Sequence, residues 1–466
     1  MNLSEVGYFA LHRVIGSAVL GYYREMRRLE NASRRELESL QSERLANLLA
    51  GAAKNVPYYR ELASSRANLA LRDFPILTKS ALKQHFLEIM TPELRREYTT
   101  GQKDRHYSWV KVQTGGTTGE PTTVIHDAPC RDSGRAGRLY SQTLCGFPLG
   151  TPYIKLWGSM RDINQAKESP AQRALRILHR ETVLNAFRMS QKRIEEYIAM
   201  IEGSKVHHLM GYVDAIEELA AHAERKKLKV RPLRSIMACA GTVTPEARQV
   251  LENVFRARVH NQYGSRECAG IACECERGGH HIYANRLLVE VVDNDGRPVP
   301  EGVSGRLLIT LLQNTSFPII RYEIGDVGAL STASCECGRP YPLLTRVEGR
   351  TAEFLIGTDG GHVPPTYIRH LIGVVHNPGL IRRFQLEQYS PLEFELRYEA
   401  EPDFPAETQR EILGEIERDL KEVLGKDCSL KISHVDEITP NASGKFSYTK
   451  RTCGPSGNRS AAVVGV

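Results

Sequence analysis

The chain contains 466 residues, enough for two unequal domains or for about three domains of ordinary size. Its 62 lysine and arginine residues and 55 aspartate and glutamate residues give a net charge of +7. Because these charges are spread along the chain, the sequence argues against a dedicated electrostatic binder of nucleic acid. Hydrophobic residues at 41% and charged residues at 25% exclude disorder as the main feature.

The first hundred residues have a helical pattern of apolar positions. Within it, residues 8–28 allow two interpretations. An amphipathic helix that lies on a membrane surface is one, because Arg24, Arg27 and Arg28 end the segment with positive charge. A helix that packs against the protein's own core is the other. The start of the chain lacks the features of a signal peptide, and no run reaches the ~18 apolar residues of a membrane span. We therefore expect no integral membrane segment and a cytoplasmic location.

Residues 109–349 alternate between short β-like runs and helical runs, which predicts a mixed sheet covered by helices. The predicted strands are 153–156, 206–210, 236–239, 259–262, 287–292 and 306–311, and the predicted helices are 191–201, 213–226 and 244–256. A small α+β unit follows, with strands at 384–388, 394–398 and 430–435 and a helix at 406–424. The fold class is therefore α/β, with a large domain at residues 1–350 and a small domain at residues 351–466.

A loop rich in glycine and threonine follows the first β-like run. Glycine allows backbone amides to converge on an anion, and threonine hydroxyls add donors, so the loop suits a polyphosphate. An ordinary flexible turn is the alternative. It is not a Walker loop, because no Gly-Lys-Ser/Thr closes it. The loop residues are Thr114, Gly115, Gly116, Thr117, Thr118 and Gly119.

Three later segments carry polar residues that suit a nucleotide. Tyr263 lies beside Gly264 and could stack on a planar base, while Glu267 could hold Mg²⁺ against phosphate oxygens. Asp326 follows an apolar run and could accept hydrogen bonds from ribose hydroxyls. Lys445, on a glycine-bearing loop, could reach negative charge that develops during phosphoryl chemistry. Each segment alone is a weak signal.

Ten cysteines are present, and five of them fall between residues 268 and 337. Two Cys-x-Cys pairs, with His280 and His281 between them, supply the thiolates and imidazoles that a tetrahedral zinc site needs. Free buried thiols are the alternative. Four protein ligands would leave no open position, which favours a structural over a catalytic metal.

Taken in order, these motifs resemble those of the adenylate-forming superfamily of acyl-CoA synthetases, adenylation domains and luciferases. The matching segments are the loop from Thr114 to Gly119, Tyr263-Gly264-Ser265-Arg266-Glu267, Arg321-Tyr322-Glu323-Ile324-Gly325-Asp326, Gly349-Arg350 and Gly444-Lys445. Val56-Pro57-Tyr58-Tyr59-Arg60 and Phe74-Pro75-Ile76-Leu77-Thr78-Lys79 are similar to signatures of the phenylacetate-CoA ligase and CapK-like branch. The resemblance implies a large mixed-sheet domain and a small mobile lid domain.

The resemblance also implies a role for individual residues. The loop from Thr114 to Gly119 would hold phosphates, Tyr263 would stack on adenine, and Glu267 would bind Mg²⁺. Asp326 would hold the ribose, Arg350 would reach ribose or phosphate, and Lys445 would bridge the carboxylate and the α-phosphate. The remaining nucleotide-binding positions would be Gly241, Gln262, Gly264 and Ser265, and the substrate pocket would include His208, Tyr212 and Gly241. Both histidines at 207 and 208, and Tyr212 with Trp157, could instead be ordinary core residues.

Two positions depart from the family pattern. Arg266 replaces the usual hydroxyl residue before the motif glutamate, and its guanidinium could take over the contact to the α-phosphate. Ala352 stands two residues after Arg350, where Asp or Lys is common at the hinge between the two half-reactions. Adenylation is therefore a firmer expectation than transfer to CoA.

A cysteine and histidine pattern found in some phenylacetate-CoA ligase relatives selects Cys275, His281, Cys335 and Cys337 as the zinc ligands. Cys268 and Cys273 are spare candidates.

The resemblance implies a ligase that uses ATP and Mg²⁺ to convert an aryl or other small carboxylic acid into an acyl-AMP, and then transfers the acyl group to CoA. The acceptor could instead be an amine, a hydroxyl or a carrier-protein thiol. A non-catalytic scaffold with a zinc knuckle is a further alternative, against which the joint presence of Lys445, Glu267 and Asp326 argues. The expected partners are small molecules and no nucleic acid, and a homodimer is allowed.

Overall fold

The structure, a computed structural model, describes residues 2–60, 69–104, 108–113, 122–157, 170–186, 189, 191–241, 243, 245–293, 295–348, 355–363, 367–368, 371–378, 380–400, 404–438 and 448–452. Its helices are α1 (Leu3–Val14), α2 (Val19–Leu29), α3 (Arg34–Asn55), α4 (Lys79–Gln84), α5 (Pro92–Thr100), α6 (Ala128–Leu144), α7 (Pro170–His179), α8 (Gln191–Gly203), α9 (Val213–Arg225), α10 (Pro245–Phe255) and α11 (Ala406–Leu424). In this part of the chain no helix is both long and apolar enough to cross a membrane.

The strands belong to four sheets. In chain order they are β1 (Trp109–Gln113), β2 (Thr123–Asp127), β3 (Tyr153–Trp157), β4 (Glu181–Asn185), β5 (His208–Tyr212), β6 (Ser235–Cys239), β7 (Arg258–Ser265), β8 (Ala269–Glu274), β9 (His280–Ile282), β10 (Leu287–Val292), β11 (Gly305–Leu311), β12 (Tyr322–Ser331), β13 (Leu343–Glu348), β14 (Leu355–Ile356), β15 (His362–Val363), β16 (Ile381–Gln388), β17 (Glu393–Ala400), β18 (Ser429–His434) and β19 (Thr449–Arg451).

The largest sheet has eleven strands in the order β10-β11-β12-β13-β9-β8-β7-β6-β5-β3-β4. The neighbouring strands β4, β3, β5, β6 and β7 pair in parallel. The remaining neighbours in the sheet, from β7 through β8, β9, β13, β12 and β11 to β10, pair antiparallel. Helices between the parallel strands bury apolar faces against them, as crossover connections require. The predicted mixed sheet covered by helices is confirmed.

One strand starts two residues later than predicted. The sequence indicated 206–210, whereas β5 begins at His208, because the sheet pairs His208 with Ser235, the first residue of β6. Val206 lies before the sheet, and its amide donates to the Ser204 hydroxyl at 3.3 Å. A run of apolar residues can continue into the connection before a strand, so composition alone does not show where the strand begins. The pairing with the neighbouring strand decides that.

The helical run predicted at residues 8–28 is two helices. Between α1 and α2, the Ser17 hydroxyl donates to Asp132 at 2.8 Å and the Ala18 amide donates to the same carboxylate at 2.6 Å. Tyr8, Phe9 and Met26 are buried in the hydrophobic cluster that also contains apolar residues of α6, so the inner faces of both helices belong to the protein's own core.

The C-terminal sheet is separate from the large sheet and has the order β18-β17-β16-β19. Helix α11 covers it with Ile412, Ile416, Leu420 and Leu424, which are buried at the spacing of one helix face. The helix has the bounds that its periodicity predicted. The smaller α+β domain is therefore confirmed, whereas the boundary near residue 350 stays a prediction.

Candidate functional site at the carboxyl edge of the parallel strands

The carboxyl ends of the parallel strands form one edge of the large sheet. Strand β3 pairs with β4 on one side and with β5 on the other, so the chain reverses its direction of winding between β3 and β5. Open α/β sheets bind ligands in the crevice outside such a switch point. Trp157 and Tyr212 end these two strands, and their ring centroids are 4.4 Å apart. An aromatic pair therefore lies where this fold class places a ligand.

The edge continues at Gly241, which follows β6. Its neighbour Ala240 has φ +60°, a left-handed conformation that costs a non-glycine residue on the order of 1 kcal/mol. Gly264, at the end of β7, is packed so closely that a Cβ would lie 2.4 Å from the Ala269 carbonyl oxygen. Such close backbone approach explains why glycine occupies this position next to Tyr263.

Tyr263 and Asp326 come from distant parts of the sequence and meet at this edge. The Tyr263 hydroxyl donates to Asp326 Oδ2 at 2.8 Å. Burial and the negative charge of Asp326 raise the pKa of Tyr263, so the phenol stays protonated and remains a donor. Three strands separate β7 from β12 in the sheet, so the sheet must curl to bring these residues together.

Glu267 lies in the turn between β7 and β8 and is only 5% exposed. Its Oε1 accepts a hydrogen bond from the Tyr322 hydroxyl at 3.0 Å. Its backbone carbonyl accepts one from His126 Nε2 at 2.7 Å, and since a carbonyl can only accept, this nitrogen carries the proton. The carboxylate is therefore held in a fixed orientation, as a ligand for a cation requires.

Arg266 is exposed beside Glu267, and its guanidinium Nη1 lies 3.5 Å from the Gln113 carbonyl oxygen. Gln113 is the last residue before the predicted phosphate loop. The arginine that departs from the family pattern therefore lies near the residue that directly precedes the predicted loop in the sequence. Gln262 and Ser265 lie in the same strand, β7.

His208 lies at the other end of its strand. As the first residue of β5 it is about 13 Å from Tyr212, the last one. It is hydrogen-bonded to the Ser235 hydroxyl at 2.8 Å and stacks on Phe147. Burial lowers the pKa of His208 to about 4. This position favours the core interpretation of His208, while Tyr212 and Gly241 stay at the carboxyl edge.

Several predicted site residues lie outside the described residues. They are Thr114, Gly115, Gly116, Thr117, Thr118, Gly119, Arg350 and Lys445, together with the hinge residue Ala352. Two residues that support Glu267, Tyr322 and His126, were not among those predicted from the sequence. Tyr322 follows the motif arginine directly and could have been selected, whereas nothing in the sequence around His126 points to Glu267.

A second cluster brings together four predicted metal ligands. One donor atom from each of Cys275, His281, Cys335 and Cys337 lies within 4.8 Å of the other three. The Cys275 and Cys335 sulfurs are 3.7 Å apart, close to the about 3.8 Å that tetrahedral zinc with Zn–S bonds of about 2.3 Å requires. Cys337 Sγ lies 3.1 Å from His281 Nε2.

The surroundings of the cluster fit a metal ion. A Cβ on Gly279 would lie 2.5 Å from the Cys335 sulfur and 3.2 Å from His281 Nε2, so only glycine leaves the cluster its space. Burial lowers the pKa of His281 to about 4, which keeps its imidazole neutral and able to coordinate. Burial raises the pKa of Cys337, but hydrogen bonds with Arg339, Cys335 and Cys275 together outweigh the effect of burial and lower that pKa.

The two spare cysteines lie elsewhere. The Cys273 sulfur is 3.7 Å from the Cys145 sulfur, and both cysteines belong to the hydrophobic cluster that contains apolar residues of α6. Cys268 is buried in a different hydrophobic cluster, which it shares with Cys130. Among the described residues, the cluster therefore comprises the four ligands that the family pattern selected and neither spare.

Comparison with known proteins identifies two family models on this chain. The model described as AMP-binding enzyme matches residues 181–315, and the model described as CapK C-terminal domain matches residues 355–452. Phenylacetate-coenzyme A ligase of Thermus thermophilus is 25% identical over 421 residues, covering 83% of this chain and 86% of the relative. Protein CapK of Staphylococcus aureus is 22% identical over 441 residues, covering 91% of each.

Among solved structures, the fold is similar to 2-hydroxyisobutyryl-CoA ligase in complex with 2-HIB-AMP and CoA. The TM-score is 0.57 at 19% sequence identity, and the match covers 91% of this chain and 92% of that one. The open conformation of the same ligase has a TM-score of 0.53. At this identity the likeness concerns the fold, which agrees with a large mixed sheet and a smaller α+β domain.

Proposed function

Because the chain belongs to the adenylate-forming superfamily, in the branch of the phenylacetate-CoA ligases and CapK, we propose that it converts a carboxylic acid into an acyl adenylate. The chain is an AMP-forming ligase. In the proposed reaction a carboxylate oxygen attacks the α-phosphorus of ATP, the bond to the bridging oxygen of the β-phosphate breaks, and pyrophosphate leaves. The CoA thiol then attacks the acyl carbon, the bond between that carbon and the phosphate oxygen breaks, and AMP leaves as the thioester forms.

One observation carries this proposal. Tyr263, Glu267 and Asp326 lie at one edge of the sheet although about sixty residues separate the first two from the third. Attack by a weak carboxylate nucleophile needs alignment and neutralisation of charge more than a general base. An aromatic ring for the base, a carboxylate for the ribose and a carboxylate for a cation are the parts that such a reaction needs.

The proposed roles rest on the family resemblance and on the chemistry of each residue. Tyr263 stacks on adenine, and Asp326, oriented by the Tyr263 hydroxyl, accepts hydrogen bonds from the ribose. Glu267 binds Mg²⁺, which neutralises phosphate charge when bound. Arg266 approaches the α-phosphate beside the loop Thr114 to Gly119, which holds the outer phosphates, and Gly241, Gln262, Gly264 and Ser265 border the nucleotide. Arg350 and Lys445 complete the site from the hinge and the small domain.

For the acid, we propose an aryl or other small substrate. The Trp157 and Tyr212 rings at the switch point offer an apolar aromatic wall. We include Gly241, which follows β6 at the same edge, as a further residue of the pocket. We place the pocket at this carboxyl edge and leave His208 out of it, because its side chain packs at the opposite end of β5.

For the metal cluster, we propose a structural zinc ion held by Cys275, His281, Cys335 and Cys337. Three sulfur ligands and one nitrogen ligand suit zinc and complete its tetrahedral shell. For the domains, we propose a large domain of residues 1–350 and a mobile domain of residues 351–466 that carries Lys445.

The proposal is tested by release of pyrophosphate from ATP and Mg²⁺ across a panel of aryl and short aliphatic acids. We expect release that depends on the acid for at least one member of the panel. Adding CoA, hydroxylamine or candidate amines to the active reaction then separates the acceptors, and CoA should yield a thioester. If no acid in the panel gives more pyrophosphate release than the control reaction without acid, the proposed activity is refuted.

The hydrogen bond between Tyr263 and Asp326 gives a more specific test. Phenylalanine at position 263 keeps the stacking ring but removes the donor that orients the ribose-binding carboxylate. A net hydrogen bond contributes about 1 kcal/mol, so we expect KM for ATP to rise about fivefold with little change in kcat. Measurement of initial rates against ATP concentration checks this. A parental KM in Tyr263→Phe would mean that Asp326 needs no such support.

A further inference from the structure

Helix α1 is apolar on two sides. Its inner side buries Tyr8 and Phe9, which are 2% and 3% exposed. Leu3, Val6, Ala10 and Val14 recur at intervals of three and four residues on another side, within an arc of about 100°. A surface helix ordinarily has polar residues on its outer side, so this second apolar stripe indicates an interaction surface.

The stripe contains the two most exposed large hydrophobic side chains of the described chain. Among its large hydrophobic side chains, Leu3 at 90%, Val14 at 82% and Ile177 at 64% are the three most exposed. Val6 is 51% exposed. Scattered single exposures are normal, but their concentration on two neighbouring helices is not.

Helix α7 borders the stripe. A Cβ on Gly7 would lie 3.0 Å from the Leu178 side chain, and the rings of Tyr8 and His179 are 4.8 Å apart, so α7 packs directly along α1. Ile177, which is exposed on α7, therefore lies on the helix next to the stripe. We call Leu3, Val6, Ala10, Val14 and Ile177 the outer apolar face.

Both helices that carry this face also carry positively charged residues. Arg13 on α1 and Arg173 and Arg180 at α7 are exposed, and Arg176 is half-buried. The sequences of the two helices contain only one acidic residue, Glu5, which also caps α1 through the amide of Asn2. Apolar residues flanked by arginines on an in-plane helix are what an anionic lipid surface binds.

We propose that the outer apolar face is a docking site for an anionic membrane surface, in which α1 lies in the plane of the headgroups. Leu3, Val6, Val14 and Ile177 enter the interface between headgroups and acyl chains, and the arginines contact lipid phosphates. The proposal concerns peripheral contact and involves no membrane-spanning segment. It is independent of the proposed ligase activity.

The charges distinguish this occupant from a second copy of the chain. A two-fold dimer across the same face would bring the face against itself, and with it the arginines of both copies. Since the two helices offer Glu5 alone as an acidic partner, like charges would oppose that contact. A lipid surface with negative headgroups has the complementary charge instead.

Sedimentation with vesicles tests the proposal. Vesicles of phosphatidylglycerol and phosphatidylcholine should carry the protein into the pellet, and vesicles of phosphatidylcholine alone should carry much less. Leu3→Glu/Val14→Glu should weaken binding about twentyfold or more, because each added charge near an anionic surface changes affinity about fivefold. Both positions are exposed, so the melting temperature should stay within about 2 °C of the parent.

A matched control separates the face from net charge. Val303→Glu/Leu392→Glu adds the same two charges at exposed hydrophobic positions outside α1 and α7, at 47% and 51% exposure. It should bind vesicles like the parent. The proposal is overturned by absence of the parent from the anionic pellet, or by equal losses in the two double variants. A parental dimer in light scattering that only Leu3→Glu/Val14→Glu dissociates would also overturn it and assign the face to a second copy.

Discussion

Replacement of Glu267 by glutamine should lower the rate of pyrophosphate release about a hundredfold. Glutamine retains an oxygen that can accept the hydrogen bond from Tyr322, so the turn between β7 and β8 keeps its support. What the substitution removes is the negative charge proposed to bind Mg²⁺ beside the phosphates. Loss of one oriented electrostatic group of this kind costs on the order of 10²–10³ in rate.

The measurement is a magnesium titration of the release rate at saturating ATP and acid. The variant should need more Mg²⁺ than the parent and should still not regain the parental rate. Glu323→Gln is the matched control, because Glu323 lies next to Tyr322 but pairs with Arg306 at 2.7 Å. A partly exposed ion pair of that kind contributes little, so its rate should stay within about twofold of the parent. Parental activity of Glu267→Gln at every Mg²⁺ concentration would exclude the proposed role.

Replacement of Cys275 by alanine should release the zinc ion and destabilise the large domain. The cluster joins the turn after β8 to the segment before β13, which are sixty residues apart in the sequence. A metal that links such segments contributes folding free energy directly. We expect zinc content to fall from about one ion per chain towards zero, and the melting temperature to fall by about 5 °C or more.

Cys273→Ala is the matched control, because it removes a cysteine two residues away that lies beside Cys145. It should keep its zinc, although loss of a buried sulfur costs about 1 kcal/mol of stability. Elemental analysis of both purified variants and thermal unfolding with and without a chelator provide the readouts. Equal metal content in parent and Cys275→Ala, or a chelator that strips zinc without lowering the melting temperature, would contradict a structural role.

Much of the fold was predictable because its signals are local. The spacing of apolar residues gave α11 its bounds, since one face of a helix needs only residues three and four apart. Runs of β-branched residues marked β10 in the same way. The start of β5 was wrong by two residues because the pairing with Ser235, and not its own composition, decides where that strand begins.

Alternation along a strand does not predict which of Cys273 and Cys275 joins the proposed metal site. Alternation along a strand would put Cys273 and Cys275 on one face. They diverge because β8 ends at Glu274 and Cys275 begins a turn, in which the Gly278 amide donates to its carbonyl oxygen at 3.0 Å. The family pattern chose Cys275, and the turn supplies the physical reason.

The sequence by itself determined the types and order of most elements and the set of candidate groups, because spacing and motif order are properties of the chain. Its resemblance to a family pattern selected the four cysteine and histidine residues that the structure brings together. The tertiary structure alone decided which groups meet. Tyr263 reaches Asp326 because the sheet curls across three intervening strands, and His208 is separated from Tyr212 because the two residues lie at opposite ends of one strand. Contacts of this kind depend on how distant segments pack, and no local pattern of residues encodes that packing.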